Sequence, residues 1–184
     1  MMARRRKREV EEHEQLALRL TGYSARVDAS ISYKVRDLRN YDEDARVYAF
    51  ESVVELQATA TWPEERSGQQ YSLTVYGREP SPGEFSVTLA QCRARDEEGR
   101  LVFKKVHGNE IPKFEVPKGI GHLDRIRGTQ GWTGWAWVSR RTVSDMLRLL
   151  SNVEPLYVAI HEFRLGRHRW IVGLTIQTTN PAEE

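Results

Sequence analysis

The sequence predicts a mainly β protein, and three observations carry that reading. Residues 23–35 alternate without a break: Tyr23, Ala25, Val27, Ala29, Ile31, Tyr33 and Val35 are apolar, with polar residues between them. A strand sends successive side chains to opposite faces, so a period of two describes a half-buried strand and excludes an amphipathic helix. The same code returns in Tyr48, Phe50, Val54, Leu56, Ala58, Ala60 and Trp62, whereas only residues 139–152 have convincing helical spacing. Counting the whole chain gives about eight strands and one helix, with two strands longer than the usual five or six residues. Strands that long must twist and coil. The expected architecture is therefore an antiparallel β-sandwich or a partly open barrel, with the C-terminal-half helix covering an end or a face.

In chain order, residues 1–22 read as a basic N-terminal arm, 23–178 as a single β-rich domain and 179–184 as a C-terminal tail. Residues 9–20 allow either a short helix or the start of a strand. The first long strand ends near Leu38, and the polar run 39–44 turns the chain. In the second strand Ser52 and Val53 interrupt the apolar face, which points to a bulge. Pro63 to Gln70 is a loop, and Tyr71, Leu73 and Val75 give a third strand closed by Gly77 and the turn at Pro80 to Gly83. The next strand starts at Phe85 and changes register through Ala90, Cys92 and Ala94. Asp96-Glu97-Glu98-Gly99 has hairpin chemistry, with Gly99 able to adopt positive φ. Leu101 to Phe103 follow, and residues 111–116 add a short edge strand limited by Pro112 and Pro117.

From Pro117 to Gly134 the chain has glycines at 119, 121, 128, 131 and 134 and little periodicity, which reads as a long loop. Trp135 to Val138 is a short strand. The helix that follows has Val143, Met146, Leu147 and Leu150 as its stripe, Ser139 or Thr142 as its cap and Pro155 as its stop. A final hairpin runs up from Leu156, turns at Leu165 to His168 and returns through Trp170, Val172, Leu174 and Ile176.

The chain holds one cysteine, Cys92, so an intrachain disulfide is impossible and a reducing compartment fits. No apolar run approaches the ~18–20 residues of a membrane helix. Glu9, Glu11, Glu12 and Glu14 follow the first basic residues where a signal peptide needs an apolar segment, so a cytoplasmic location is expected. The net charge of +2 conceals segregation. Residues 4–8 are all basic, residues 9–117 hold 14 basic and 20 acidic side chains, and residues 118–170 hold 9 basic and 4 acidic.

That segregation supplies the candidate binding residues. Arg4, Arg5, Arg6, Lys7 and Arg8 can neutralise phosphates and release counterions, giving salt-sensitive binding to nucleic acid. The segment 118–170 combines Arg125, Arg127, Arg140 and Arg141 with four of the five tryptophans, and cations beside aromatic faces are how single strands are commonly held. Trp135 and Trp137 share a strand face by their spacing and, with Trp170, are expected in the core; Trp132, between Gly131 and Thr133 in the loop, is more open to exposure than these three. The hairpin tip adds Arg164, Arg167, His168 and Arg169, too polar to bury.

Catalytic and metal signatures are missing. There is no Gly-x-Ser-x-Gly, His-Glu-x-x-His or phosphate-loop motif. His107, His122, Asp124 and His161 lack ligand spacing, and Cys92 lies in an apolar run where a thiol is inert. No catalytic residue, metal site or cofactor is assigned. The residues read as a non-catalytic binding or assembly module, presenting an arginine-rich surface and a basic arm to a polyanion such as nucleic acid, or to a partner subunit. The alternative is a small-ligand or carbohydrate-binding protein, or a hydrolytic one, with a pocket under the Gly119–Gly134 loop.

Overall fold

The computed structural model describes residues 11–31, 48–78 and 88–183. Its nine strands are β1 (Glu11–Ile31), β2 (Tyr48–Trp62), β3 (Gln70–Arg78), β4 (Phe103–Val106), β5 (Asn109–Pro112), β6 (Gly121–Arg125), β7 (Trp132–Ser139), β8 (Tyr157–Leu165) and β9 (His168–Gln177). One α-helix, α1 (Arg140–Asn152), completes the regular structure among the described residues. The chain divides into two compact units, one of Met1–Arg78 with Gly119–Glu184 and the other of Glu79–Lys118.

The first unit is a barrel. Its strands follow the order β1-β2-β3-β7-β6-β9-β8, and β1 closes the ring by pairing with both β2 and β8. Every pair is antiparallel except β3 with β7, so the sheet is mixed. Parallel neighbours need a long crossover, and the chain between Arg78 and Trp132 supplies it. The expected sandwich or partly open barrel is thus replaced by a closed seven-stranded barrel. Closure is possible because β1 is long enough to serve two neighbours at once, Glu11–Arg19 meeting β8 and Ala17–Ile31 meeting β2. Closure pairs the edges that a sandwich would leave exposed, except along β1 beyond Leu20, where its pairing with β8 has ended.

Inside the barrel sit Leu16, Leu18, Val54, Leu56, Leu73, Val75, Leu123, Val158, Ile160 and Ile171, all at most 1% exposed. Small residues fill the remaining inward positions. A Cβ on Gly121 would lie 1.9 Å from the Trp135 carbonyl oxygen, and one on Gly134 would lie 2.6 Å from Leu123 Cδ2. These glycines belong to crowded strands. The segment 119–134 is accordingly β6, a hairpin turn and the start of β7, instead of the expected loop.

At one end α1 packs Val143, Met146 and Leu150 inward, and the Ser139 hydroxyl accepts the Thr142 N–H at 3.1 Å as its cap. At the other end β2 passes through a 3₁₀ turn, Glu64–Arg66, into β3. In the second unit β4 and β5 form a hairpin through His107 and Gly108, both at positive φ, the geometry that a two-residue turn requires. Gly99 is also at positive φ and its N–H donates to Asp96, closing the turn expected there.

Several local expectations change. Residues 11–22, assigned to the arm, belong to β1, and the stretch assigned to a single domain spans both compact units. The register of β2 with β1 and β3 is regular through Ser52–Val53; the shifts leave one extra residue at Thr61 of β2, at Thr21 of β1 and at Val172 of β9. Leu89–Cys92 is a 3₁₀ turn, while Phe85 lies outside the described residues. The alternating residues of β1 do form a strand, but Tyr23 to Ala29 are exposed on both faces. That part of β1 runs beyond its pairing with β8, so nothing among the described residues roofs it.

Candidate functional site

The barrel end opposite α1 gathers most of the charge chemistry of the first unit. β1, β3, β7 and β9 begin there, and β2, β6 and β8 finish there. Two layers can be distinguished, an interior plug and an outer rim.

The plug is built on Glu162, which is fully buried because its place on β8 follows Val158 and Ile160 inward. A buried carboxylate is costly unless paired, and here it has two arginines. Arg66, delivered by the 3₁₀ turn, donates from Nη1 to Glu162 at 2.9 Å and from Nη2 to Glu14 of β1 at 2.7 Å. Arg169 of β9 donates to the other Glu162 oxygen and lies 3.7 Å from Glu14. Two cations and two anions therefore neutralise one another. Glu162, more than any other group, holds the Arg66 guanidinium firmly protonated against its desolvation.

Trp132 forms the floor of the plug. Its ring has the Arg66 guanidinium 5.1 Å and the Arg169 guanidinium 5.0 Å from its centroid. It stacks with Tyr71 at 6.0 Å, and its indole N–H donates to Gln69 at 2.7 Å. Cations near aromatic faces are attracted by the ring quadrupole, more so when water is excluded. The Tyr71 hydroxyl is buried without a well-aligned hydrogen bond. Burial pushes its pKa up, and the nearby Arg66 charge opposes that rise.

Of the three tryptophans expected in the core, Trp135 is exposed and Trp137 and Trp170 are partly buried, while Trp132 is the buried one. Trp132 is 8% exposed, whereas Trp135 is 40% exposed and Trp137 half-buried. The register of β7 explains it: Trp132, Gly134 and Ala136 face inward, where the barrel admits two small residues above one ring. Trp137 instead carries Arg78 over its face at 4.1 Å.

The rim carries the exposed cations. β6 and β9 pair through Leu123 and Arg169, and the rings of His122 and His168 lie 6.1 Å apart, so the β6–β7 and β8–β9 tips are neighbours. Arg125, Arg127, Arg167 and His168 are exposed on those two tips. His122 contacts Asp124 at 3.2 Å. Arg164 is exposed but already paired with Glu12 at 3.2 Å, and Arg169 is committed to the plug. Glu64 and Glu65 are also exposed at this end, on the 3₁₀ turn. Arg140 and Arg141 start α1 and so lie at the opposite end of β7 from Trp132. Residues 4–8 lie outside the described residues, yet the chain enters β1 at Glu11, paired with Leu165 on the same rim.

The plug is missed by sequence reasoning because its parts are far apart in the chain. Arg66 and Glu162 are 96 residues apart. The one local signal is Glu162 itself, an acid in the inward parity of Val158 and Ile160. His122 and Asp124 touch, but among the described residues no three potential metal ligands cluster. No helix among them is long and apolar enough to cross a membrane. No protein-family model matches the chain, and no curated protein or solved structure is similar to it.

Proposed function

We propose that the chain is a non-catalytic binding module that presents its basic barrel rim to a polyanion, nucleic acid being the class that fits. One observation carries the reading: the tips of two neighbouring hairpins bring Arg125, Arg127, Arg167 and His168 together with no carboxylate paired to the three arginines among the described residues. Unpaired guanidiniums on a rigid rim are suited to phosphate oxygens, which they can bind bidentately. The basic segment 4–8 precedes β1 in the sequence, and β1 begins at this rim. Arg140 and Arg141 take no part in this reading. Trp132 and Arg169 support the rim from beneath without touching a ligand.

The plug favours architecture over chemistry. Each of its charged groups is already engaged by an opposite charge, so none is free to exchange a proton with a substrate. The test is a binding series against single- and double-stranded nucleic acid over a range of salt. Replacing Arg125, Arg127 and Arg167 together by Ala is expected to flatten the log–log salt slope on duplex by about 2.7, roughly 0.9 per lost phosphate contact. Deleting residues 1–8 should flatten it further. Unchanged affinity and slope in both variants overturn the reading.

A further inference from the structure

β1 has an open edge. It pairs with β8 over Glu11–Arg19 and with β2 over Ala17–Ile31, so among the described residues no strand lies on its outer side from Thr21 onward. Along that stretch Val27 is 73% exposed and Tyr23 44% exposed. β3 accompanies β2 only as far as Ser52, so among the described residues Asp28–Ile31 and Tyr48–Glu51 pair only with each other. An apolar open edge is a template for another strand.

We propose that this edge is a homodimer interface, in which β1 of one copy pairs antiparallel with β1 of a second about a two-fold axis at Val27. The residues are self-complementary in that register. Val27 meets Val27 and Ala25 meets Ala29, so apolar positions face apolar. Arg26 meets Asp28 on both sides of the axis. Within one copy these two side chains already contact at 2.6 Å, so the dimer joins two such pairs into an alternating ring of four charges.

Neighbouring registers are disfavoured. Sliding by two residues sets Arg26 against Arg26 or Asp28 against Asp28, and like charges directly opposite are destabilising. Sliding by one turns every apolar residue toward the wrong face. The two-fold contact is isologous and therefore closes at two copies. The occupant is a second copy and not a polyanion, because Asp28, Glu51 and Glu55 surround Arg26 on this stretch of the described residues. The interface uses none of the rim residues, so it stands or falls apart from the nucleic-acid reading.

Light scattering on the full-length chain across a concentration series tests the proposal. The wild-type chain is expected to dimerise, and Arg26→Asp or Asp28→Arg alone should weaken the dimer at least tenfold. The double exchange R26D/D28R restores the facing pairs and should recover it. In a Cys92→Ser background, Val27→Cys should oxidise to a covalent dimer, since the two Cα atoms lie about 4.5–5.5 Å apart across the axis. Ala25→Cys should not, its two copies being about 13 Å apart along the ladder. A monomer at every concentration, a dimer indifferent to single charge reversal, or equal cross-linking at both positions overturns it.

Discussion

Glu162 is the residue on which one end of the barrel depends. It is fully buried and engages two arginines that also flank a buried indole. Removing its charge leaves Arg66 and Arg169 with only Glu14 between them. Breaking a buried ion pair from one side costs about 3–5 kcal/mol. Glu162→Gln is therefore expected to lower stability by about 3 kcal/mol, read as a shift in the urea midpoint; a change below about 1 kcal/mol would show the plug to be ornamental. Tyr71 answers a different question. Burial raises its pKa, so the folded chain retains a proton that the unfolded phenol releases near pH 10. The stability from this linkage is present below about pH 10 and is lost as pH climbs through the folded value. Tyr71→Phe should stay within about 1 kcal/mol of wild type at neutral pH, because the hydroxyl makes no well-aligned hydrogen bond. Urea midpoints on either side of pH 10 should show a shallower alkaline loss in the variant; identical pH profiles would exclude Tyr71 as its source.

Among the elements, β6 and β7 show how close the strands approach. Gly121→Ala would drive a Cβ to 1.9 Å from the Trp135 carbonyl, a backbone atom that cannot rotate away. The substitution should cost about 3 kcal/mol or more, seen as a lower denaturation midpoint or loss of soluble protein. A stable variant would mean that β6 can move outward. The same glycines explain what the sequence conceals. Period-two alternation makes β1, β2 and the β8–β9 hairpin legible, and the 3.6-residue stripe makes α1 legible. Glycine, in contrast, serves loops and crowded strands alike, so 119–134 reads as a loop until its neighbours are known. Tryptophan is equally ambiguous: its size suits a core, but the cramped β7 interior accepts only one of three. The rim could be read in part, since hairpin tips are polar and local. The plug could not, because its ion pairs depend on barrel closure.

For the molecule as a whole, that closure rests on the β1–β8 ladder between Glu11 and Arg19. Deleting residues 1–18 removes nearly all of it and one carboxylate of the plug. The truncated chain should lose cooperative unfolding and near-ultraviolet dichroism, whereas a cooperative transition would show that the other six strands suffice. The charge distribution also belongs to this scale. Segregation along the sequence becomes separation in space only in part: Arg125, Arg127 and Arg167 gather at one end, Arg140 and Arg141 lie at the other, and Arg164 and Arg169 are matched to carboxylates.

Pairing β1 with β8 has a consequence for synthesis. Glu12 and Arg164 are 152 residues apart, so β1 leaves the ribosome long before its second neighbour is made. Until β8 emerges, the nascent chain can hold β1 against β2 alone, with Leu16 and Leu18 bare to solvent. Ring completion thus waits for β8, and holdase chaperones that shield short apolar strands would find their substrate during that interval.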